Sequence, residues 1–114
     1  MTHFLHLQEA PFEKIRTGQK TIELRLNDEK RRKIKPGDTL VFTNLKDPQQ
    51  TLCTTVVALH PFPDFEALYR ALPLTSCGYT EEELPHASPE DMQVYYAKED
   101  ITNYGVLGIE LRLA

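Results

Sequence analysis

Residues 106 to 113 show the most regular alternation of hydrophobic and polar positions, because every second residue from Leu107 to Leu113 is leucine or isoleucine. Successive side chains of a strand point to opposite faces, so this alternation predicts a strand with one face in a core. Residues 3–7 and 21–26 predict two further strands. Strands are therefore expected at both ends of the chain.

Residues 39–45 and 51–59 predict a pair of antiparallel strands, because both segments are rich in Val, Leu, Thr and Phe. The polar residues 46–50 between them indicate a hairpin loop. Residues 60–63, His-Pro-Phe-Pro, are expected to end the second strand, because each proline removes a hydrogen-bond donor from the ladder.

Residues 64 to 73 predict a helix that packs against the sheet. Apolar residues recur there at the i, i+3, i+4 and i+7 positions from Phe65 to Leu72, which places them on one face. Asp64 can cap the first turn, and Pro73 ends the helix. The apolar face belongs to the core.

Shorter helices are predicted on either side of this one. Phe12 and Ile15 recur on one face of a helix that Gly18 can end in the left-handed conformation. Thr80 with Glu83 fits a capping box for a short helical turn, and residues 88–91, Ser-Pro-Glu-Asp, are a further helix start. Helical turns are therefore expected between residues 64 and 97.

Together these elements predict an α+β fold, namely a small, mostly antiparallel β-barrel closed by its terminal strand, with short helices packed around it. The chain has 114 residues, of which 40% are hydrophobic and 26% charged. That length and composition are typical of one globular domain, residues 1–114, with a single core. No repeat or linker divides it.

The two cysteines and the N-terminus exclude several classes of protein. Cys53 and Cys77 lie in no CxxC or Cys/His pattern, so reduced thiols are expected, with no metal and no cofactor. The N-terminus lacks a signal peptide, and no segment reaches the 18 apolar residues that a membrane span requires. A cytoplasmic protein without a membrane partner is expected. The oligomeric state stays open.

Charge is unevenly distributed along the chain. Residues 1–50 carry ten Lys or Arg and seven Asp or Glu, a balance of +3, whereas residues 51–114 carry three and ten, a balance of −7. A polyanion could contact the first half while avoiding the second. The densest basic run covers residues 30–35, and it is either a solvated loop or a contact for nucleic acid.

Residues 18 to 25 gather an unusual set of polar groups where the strand of residues 21–26 begins. They run in the order Gly18-Gln19-Lys20-Thr21-Ile22-Glu23-Leu24-Arg25. In a strand, the apolar residues at 22, 24 and 26 can face a core while Thr21, Glu23 and Arg25 share the other side. This polar row is either a half-solvated strand face or a binding or catalytic site on a rigid element.

Lys20 and Glu23 lie three residues apart, so in an unbroken strand their side chains would point to opposite faces. For the two to meet, Lys20 must lie in the turn that precedes the strand, or a bulge must redirect it. The glycine at Gly18 makes the turn the simpler solution.

Several short motifs occur in a fixed order along almost the whole chain. They are Phe12-x-x-Ile15-x-x-Gly18-x-Lys20-Thr21-x-Glu23-x-Arg25, then Asp28, Arg31-x-x-Ile34-x-x-Gly37-Asp38, Phe42-x-Asn44, Tyr95-Tyr96-x-Lys98-Glu99 and Tyr104-Gly105-Val106-x-Gly108-Ile109. This series resembles the ASCH domain family of the PUA-like superfamily, in particular its small, bacterial-type, single-domain members.

The resemblance implies a barrel with an adjacent cleft for RNA or a nucleotide-sized ligand, in proteins that act in translation or RNA metabolism. It also implies that enzymatic activity is an alternative. One branch of the family hydrolyses the amide of N4-acetylcytidine with a lysine, a threonine and a glutamate, and another branch is described as a ribonuclease. The family lysine falls on Lys20. The threonine of the amidohydrolases falls on Glu23, and this departure counts against deacetylation.

For a binding site, the residue types suggest definite roles. Arg25 offers a planar fork to a phosphate or base edge, Glu23 can accept from an exocyclic amine, and Tyr96 can stack or donate. Thr21 shares the polar face with them. For a metal-independent hydrolase, Lys20 and Glu23 could instead act as an acid/base pair, with Arg25 stabilising a developing anion.

Two further candidates for ligand binding come from the family motifs, and each has an alternative. Asn44 can line the cleft, or it can hydrogen-bond its own hairpin loop. Lys98 can contact the ligand, or it can complement the C-terminus of the preceding helix. Tyr95 and Tyr96 cannot both face inward on a helix, and the family position favours Tyr96. A third possibility is a purely structural or protein-interaction role for the whole polar row.

Overall fold

Five strands form one mixed sheet with the shape of a half-barrel, in a computed structural model that describes all 114 residues. The strands are β1 (Thr2–Leu7), β2 (Ile22–Leu26), β3 (Thr39–Asn44), β4 (Thr51–Phe62) and β5 (Val106–Leu113). Their order across the sheet is β1-β3-β4-β5-β2. Only β1 and β3 are parallel; the other three pairs are antiparallel. The predicted α+β, mostly antiparallel architecture is confirmed.

The central hairpin forms as its sequence predicts. β3 and β4 pair in antiparallel register from Thr39 opposite Thr55 to Thr43 opposite Thr51. β4, however, does not end before residue 60. It continues through Phe62 and pairs with β5 over its whole second half, with a register shift between Val56 and Ala58.

The prediction that residues 60–63 break the sheet is therefore wrong. β3 pairs with β4 only as far as Thr55, so beyond that point β4 has one neighbouring strand instead of two. Pro61, opposite Leu107 on β5, occupies an edge position, where a missing backbone donor costs no ladder bond.

Three α-helices and three short 3-10 turns connect the strands. The helices are α1 (Glu9–Arg16), α2 (Phe65–Ala71) and α3 (Lys98–Tyr104), and the 3-10 turns cover Arg31–Lys33, Leu84–His86 and Pro89–Val94. Asp64 caps α2 as predicted, because its side chain accepts a hydrogen bond from the backbone N–H of Ala67 at 2.9 Å. No helix is both long enough and apolar enough to span a membrane.

The segment after Ser88 differs from the predicted α-helix. A capping box of Ser88 with Asp91 begins the segment at the predicted start, but the turn that follows is a 3-10 turn that ends at Val94. Lys98 then begins α3. Lys98 therefore lies at a helix N-terminus, so the suggestion that it complements a helix C-terminus is wrong.

Hydrophobic clusters cover both faces of the sheet, and β5 contributes to each by alternation. The first cluster consists of Leu5, Leu7, Phe12, Ile15, Ile34, Leu40, Phe42, Val56, Leu107, Ile109 and Leu111. The second consists of Ile22, Leu24, Leu26, Phe65, Leu68, Cys77, Ile101 and Val106. The three apolar residues of β2 thus pack in one core, as the alternation along residues 21–26 predicts.

The two edge strands, β1 and β2, do not pair with each other, so the half-barrel has a seam. Side chains cross it in place of a backbone ladder. Arg25 donates through Nη2 to the carbonyl of His6 at 2.8 Å, and Lys30 donates to the carbonyl of Phe4 at 3.4 Å. β5 lies between β4 and β2, so the terminal strand does not close the barrel.

Candidate functional site

A cavity of about 470 Å³ opens beside the seam, where β2, the start of α1 and the 77–96 segment come together. Its volume lies in the range of small-molecule binding sites. The residues that line it are His6, Leu7, Gln8, Ala10, Pro11, Lys14, Lys20, Glu23, Leu24, Arg25, Leu45, Tyr69, Cys77, Gly78, Tyr79, Glu83, Asp91, Met92, Tyr95 and Tyr96.

The cavity floor is an ion-paired triad of Lys20, Glu23 and Arg25. Lys20 Nζ lies 2.8 Å from Glu23 Oε1, and Arg25 Nε lies 2.7 Å from Glu23 Oε2. Lys20 precedes β2, in the turn after Gly18, so the chain brings it to Glu23 without a bulge in the strand. The three charged groups therefore converge, with Lys20 in the turn before the strand as the first of the two predicted solutions requires.

Pairing across β2 and β5 explains why the triad is buried. Glu23 is opposite Ile109 and Arg25 is opposite Leu107, and directly opposed residues lie on the same face of a sheet. The two polar side chains therefore continue an apolar face toward the seam. Glu23 is only 3% exposed, so this row is not a solvated strand face.

Opposing effects act on the ionisation of the triad. Burial favours the neutral form of Glu23, but attraction by Lys20 and then by Arg25, with the hydrogen bonds that they donate, outweighs burial and lowers the pKa of Glu23. Burial likewise opposes the charge of Arg25, but the Glu23 carboxylate outweighs it and raises the pKa of the guanidinium. The floor is thus held in its ionised form.

Two tyrosine side chains and one carboxylate form a hydrogen-bonded wall of the cavity. The hydroxyls of Tyr69 and Tyr79 are 2.7 Å apart, and the Tyr79 hydroxyl donates to Asp91 Oδ2 at 2.7 Å. The rings of Tyr69 and Tyr79 meet edge to face at 5.9 Å. Burial raises the pKa of both phenols, so both stay protonated at neutral pH.

Gly78 connects this wall to the floor. A Cβ at Gly78 would lie 3.2 Å from Cδ of Lys20, and Lys14 Nζ donates to the Gly78 carbonyl at 2.7 Å. The backbone at 78 therefore lies directly against the aliphatic part of two lysines. Next to it, burial raises the pKa of the Cys77 thiol to about 11, although Lys20 opposes the shift.

Tyr95 and Tyr96, the two tyrosines of the family motif, both line the cavity. Tyr96 is partly buried and stacks on Phe65, with ring centroids 6.1 Å apart, while Tyr95 is 61% exposed at the rim. The helical argument that only one of them can face inward does not apply, because the 3-10 turn ends at Val94. The Tyr96 hydroxyl has no protein hydrogen-bond partner.

The remaining predicted binding residues lie away from the cavity. Thr21 is exposed and lines a smaller cleft of about 210 Å³ on the other side of Lys20. Asn44 is buried and bonds its own hairpin loop, donating to Gln50 Oε1 and accepting from the Lys46 N–H, both at 3.0 Å. Lys98 is exposed on α3.

Several residues in the cavity lining are not singled out by the sequence. They include Lys14, Tyr69, Tyr79 and Asp91, all of which have polar side chains. Tyr69 follows the apolar period of α2 and so is indistinguishable from a core residue. The available signal is the density of tyrosines and carboxylates between residues 79 and 96.

The basic run of residues 30–35 is partly committed to the fold. Arg31 pairs with Asp28 at 3.0 Å, and Arg32 donates to the carbonyls of Asn27 and Tyr104. Lys33 and Lys35 are exposed, and their ammonium groups have no protein partner. No three or more His, Cys, Asp or Glu side chains are grouped so that they could hold a metal ion.

Comparisons with known proteins agree with this architecture. The family model described as ASCH domain matches residues 5–112. The crystal structure of the hypothetical protein PH0355 is 31% identical, with a TM-score of 0.82 and coverage of 100% of both chains. The solution structure of PF0455 from Pyrococcus furiosus is 32% identical, with a TM-score of 0.72 and coverage of 99% of this chain and 97% of that one.

A more distant likeness concerns the fold alone. ZmASCH from Zymomonas mobilis, crystallised as a mutant, is 12% identical, with a TM-score of 0.68 and coverage of 97% of this chain and 67% of that one. A search of the curated proteins found no match.

Proposed function

Because the chain belongs to the ASCH domain family, we propose that it binds single-stranded RNA or a nucleoside or nucleotide in the cavity beside the seam. In the cell, this would be a role in RNA metabolism or translation. The observation that carries the proposal is the triad of Lys20, Glu23 and Arg25 in the floor of a cavity bordered by tyrosines.

The floor keeps hydrogen-bond donors free for a ligand. Arg25 uses Nε for Glu23 and Nη2 for the His6 carbonyl, which leaves Nη1 without a protein partner. Lys20 has one close partner for its three N–H donors. Glu23 fixes both cations in place, so a phosphate oxygen or a base carbonyl would meet preorganised donors.

The tyrosines supply surfaces on which a base can stack. Tyr95 is largely exposed at the rim, and Tyr96 is anchored on Phe65. Stacking of a base on an aromatic ring contributes about 1–3 kcal/mol to binding of single-stranded nucleic acid. A floor of donors below aromatic walls is thus suited to one nucleobase with its sugar or phosphate.

The test is a titration of short single-stranded RNA and of mononucleotides at one fixed salt concentration. Arg25→Ala is expected to weaken binding at least tenfold, since a hydrogen bond to a charged group contributes about 1.5–3 kcal/mol. Arg70→Ala is the matched control, because Arg70 is exposed on α2 and its one ion pair, with Glu66, is long at 3.8 Å. Equal affinities for the two variants would refute the proposal.

Arg25 also pairs with Glu23 and donates to the His6 carbonyl across the seam, so its removal could disturb the fold. Arg25→Lys keeps the positive charge but loses the planar fork. It is expected to retain the thermal midpoint of unfolding more closely than Arg25→Ala while still losing affinity. Loss of binding that tracks only the unfolding midpoint would count against a direct contact.

A second candidate function is a metal-independent hydrolase acting on N4-acetylcytidine or RNA, supported by the 2.8 Å contact of Lys20 with Glu23 inside the cavity. Its physical support is weaker, because the lowered pKa of Glu23 makes that carboxylate a poor proton acceptor at neutral pH. Both substrates should be incubated with the protein, with and without a chelator. Turnover no greater than that of Lys20→Ala would eliminate this function.

A further inference from the structure

The cavity wall formed by Tyr69, Tyr79 and Asp91, called here the acceptor wall, has a hydrogen-bond direction that the contacts determine. A carboxylate only accepts, so the 2.7 Å contact between Tyr79 and Asp91 Oδ2 takes the hydroxyl hydrogen of Tyr79. Tyr79 must then accept at its 2.7 Å contact with Tyr69, which takes the hydroxyl hydrogen of Tyr69. Both phenol hydrogens are thereby used within the wall.

The three residues of the acceptor wall therefore offer a ligand only acceptors. They are the remaining lone pairs of the two phenol oxygens and Asp91 Oδ1, which has no protein partner. Asp91 Oδ2 also accepts from the backbone N–H of Ser88 at 3.2 Å, so the capping box uses one carboxylate oxygen and leaves the other unpaired on an exposed residue that lines the cavity. The fold alone does not require this second oxygen.

The floor of the same cavity has the opposite character. Its available groups are the donors of Lys20 and Arg25, while both oxygens of Glu23 already accept from these two cations. Gly78 lies against the Lys20 side chain, so the adjacent Tyr79 is next to the floor. A ligand in the cavity would therefore meet donors on one side and acceptors on the other.

We infer that the acceptor wall makes the cavity selective for adenine and cytosine, which carry an exocyclic amine at the position where hypoxanthine and uracil carry a carbonyl. The inference rests on the proposed function and adds a substrate class to it. The amine would donate to Asp91 Oδ1 or to a phenol oxygen, and an acceptor of the base or sugar would face Lys20 or Arg25.

The excluded bases differ from the selected ones at two neighbouring groups. Hypoxanthine and uracil carry a carbonyl oxygen where adenine and cytosine carry the amine, and an N–H where adenine and cytosine have an acceptor ring nitrogen. In the same orientation, the carbonyl lone pairs would face the lone pairs of the acceptor wall and the ring N–H would face the donors of the floor, so both contacts would be lost. A site built to accept from a substrate N–H disfavours the analogue that lacks it, because the bound analogue displaces water from acceptors that it does not pair.

The experiment compares matched nucleosides, which carry no phosphate, in direct binding titrations. Adenosine against inosine and cytidine against uridine each exchange an amine and its neighbouring acceptor nitrogen for a carbonyl and an N–H, with the rest of the nucleoside unchanged. The wild-type protein is expected to bind the amino member of each pair at least tenfold more tightly. Binding of all four nucleosides with equal affinity would overturn the inference and leave the proposed function intact, whereas no binding of any nucleoside or RNA would overturn both.

Two variants test the wall itself. Asp91→Asn keeps an oxygen for the Tyr79 hydroxyl but adds an amide donor, and Tyr79→Phe frees the Tyr69 hydroxyl to donate; each is expected to reduce the preference to less than threefold. Glu90→Gln is the control, because Glu90 is adjacent but outside the cavity lining. An unchanged preference in folded Asp91→Asn and Tyr79→Phe proteins would overturn the inference.

Discussion

Glu23 determines the charge balance of the cavity floor because it is the one anion between two cations. At 3% exposure it has almost no contact with water, and the side chains of Lys20 and Arg25 are only 11% and 12% exposed. Three charges at this depth are tolerated because each is paired. Removal of the middle charge would leave two like charges close together.

Glu23→Gln is therefore expected to destabilise the fold by about 3–5 kcal/mol at pH 7, the usual cost of leaving a buried charge without its partner. The amide keeps the size of the side chain, so the loss would arise from charge and not from a cavity. Urea unfolding of the two proteins measures it. Glu13→Gln is a suitable control, since Glu13 pairs with Arg16 on the exposed surface of α1. Similar losses for the two variants would contradict the prediction.

Asp38 is the residue whose ionisation should be most visible in the pH dependence of stability. A hydrogen bond from His3 at 2.8 Å, another from the backbone N–H of Lys35 and the nearby N-terminal ammonium lower its pKa to about 2. In an unfolded chain the same carboxyl has a pKa of about 3.9. Since the folded value is lower, ionised Asp38 stabilises the protein above pH 4, and this contribution is lost as the pH falls toward 2.

The wild-type protein should therefore exceed Asp38→Asn in unfolding free energy at neutral pH, and the difference should shrink between pH 4 and pH 2. Chemical unfolding curves for both proteins at several pH values provide the measurement. A difference that stays constant across that range would mean that Asp38 is not stabilised by these contacts.

At the scale of elements, the connection from α3 to β5 depends on close backbone packing. Gly105 has φ of +73°, and a Cβ there would lie 2.9 Å from the carbonyl oxygen of Phe62 at the end of β4. Gly37 also has a positive φ, of +93°, but a Cβ there would meet nothing within 4 Å. A substitution at Gly37 therefore tests backbone strain alone, whereas a substitution at Gly105 adds a steric contact.

Gly37→Ala is expected to cost about 1–2 kcal/mol, which is the strain of a left-handed backbone conformation. Gly105→Ala should cost roughly 1–3 kcal/mol more, because β4 or β5 must move to relieve the contact with Phe62. Thermal unfolding of the two variants tests the difference. Equal costs would show that the β4–β5 junction accommodates a methyl group without movement.

Elements whose signals are local could be predicted, and those that depend on distant partners could not. The α2 helix follows from Asp64 and its apolar period, and the β3–β4 hairpin from its strand composition. The extension of β4 through Pro61 depends on β5, which lies more than 40 residues further along the chain. A local rule about proline gives no information on how many neighbours that segment has.

The same distinction applies to the cavity. Lys20, Glu23 and Arg25 belong to one turn and one strand, so their spacing and the period of a strand are sufficient to bring them together. Tyr79 and Asp91 come from a segment with no regular period, and only the tertiary fold places them opposite the triad. Asn44 illustrates the converse, since its local role in the hairpin was predictable and is the one for which contacts exist.

At the scale of the whole molecule, the opposite charges of the two halves suggest how a longer ligand would lie. The exposed Lys33 and Lys35 belong to the basic run, which adjoins the seam because Lys30 bonds the carbonyl of Phe4. The far rim of the cavity carries Glu83 and Asp91. If the ligand of the proposed function is RNA, a longer strand is expected to leave the cavity on the side of the basic run.

The double variant Lys33→Glu with Lys35→Glu is expected to weaken binding of single-stranded RNA and to leave nucleoside affinity unchanged. Each lost phosphate contact should reduce the salt dependence of log K by about 0.7. Titrations at several salt concentrations give this slope. An unaltered slope would indicate that the basic run is a solvated loop.

The side-chain clasp across the seam means that one guanidinium serves two purposes. Arg25 ties β2 to the backbone of β1, and it also faces the space that a ligand would fill. Anything that restrains this group from inside the cavity would also restrain the two outermost strands. Ligand binding in the cavity should then slow deuterium uptake by the backbone amides of β1 and β2, including amides far from any ligand atom.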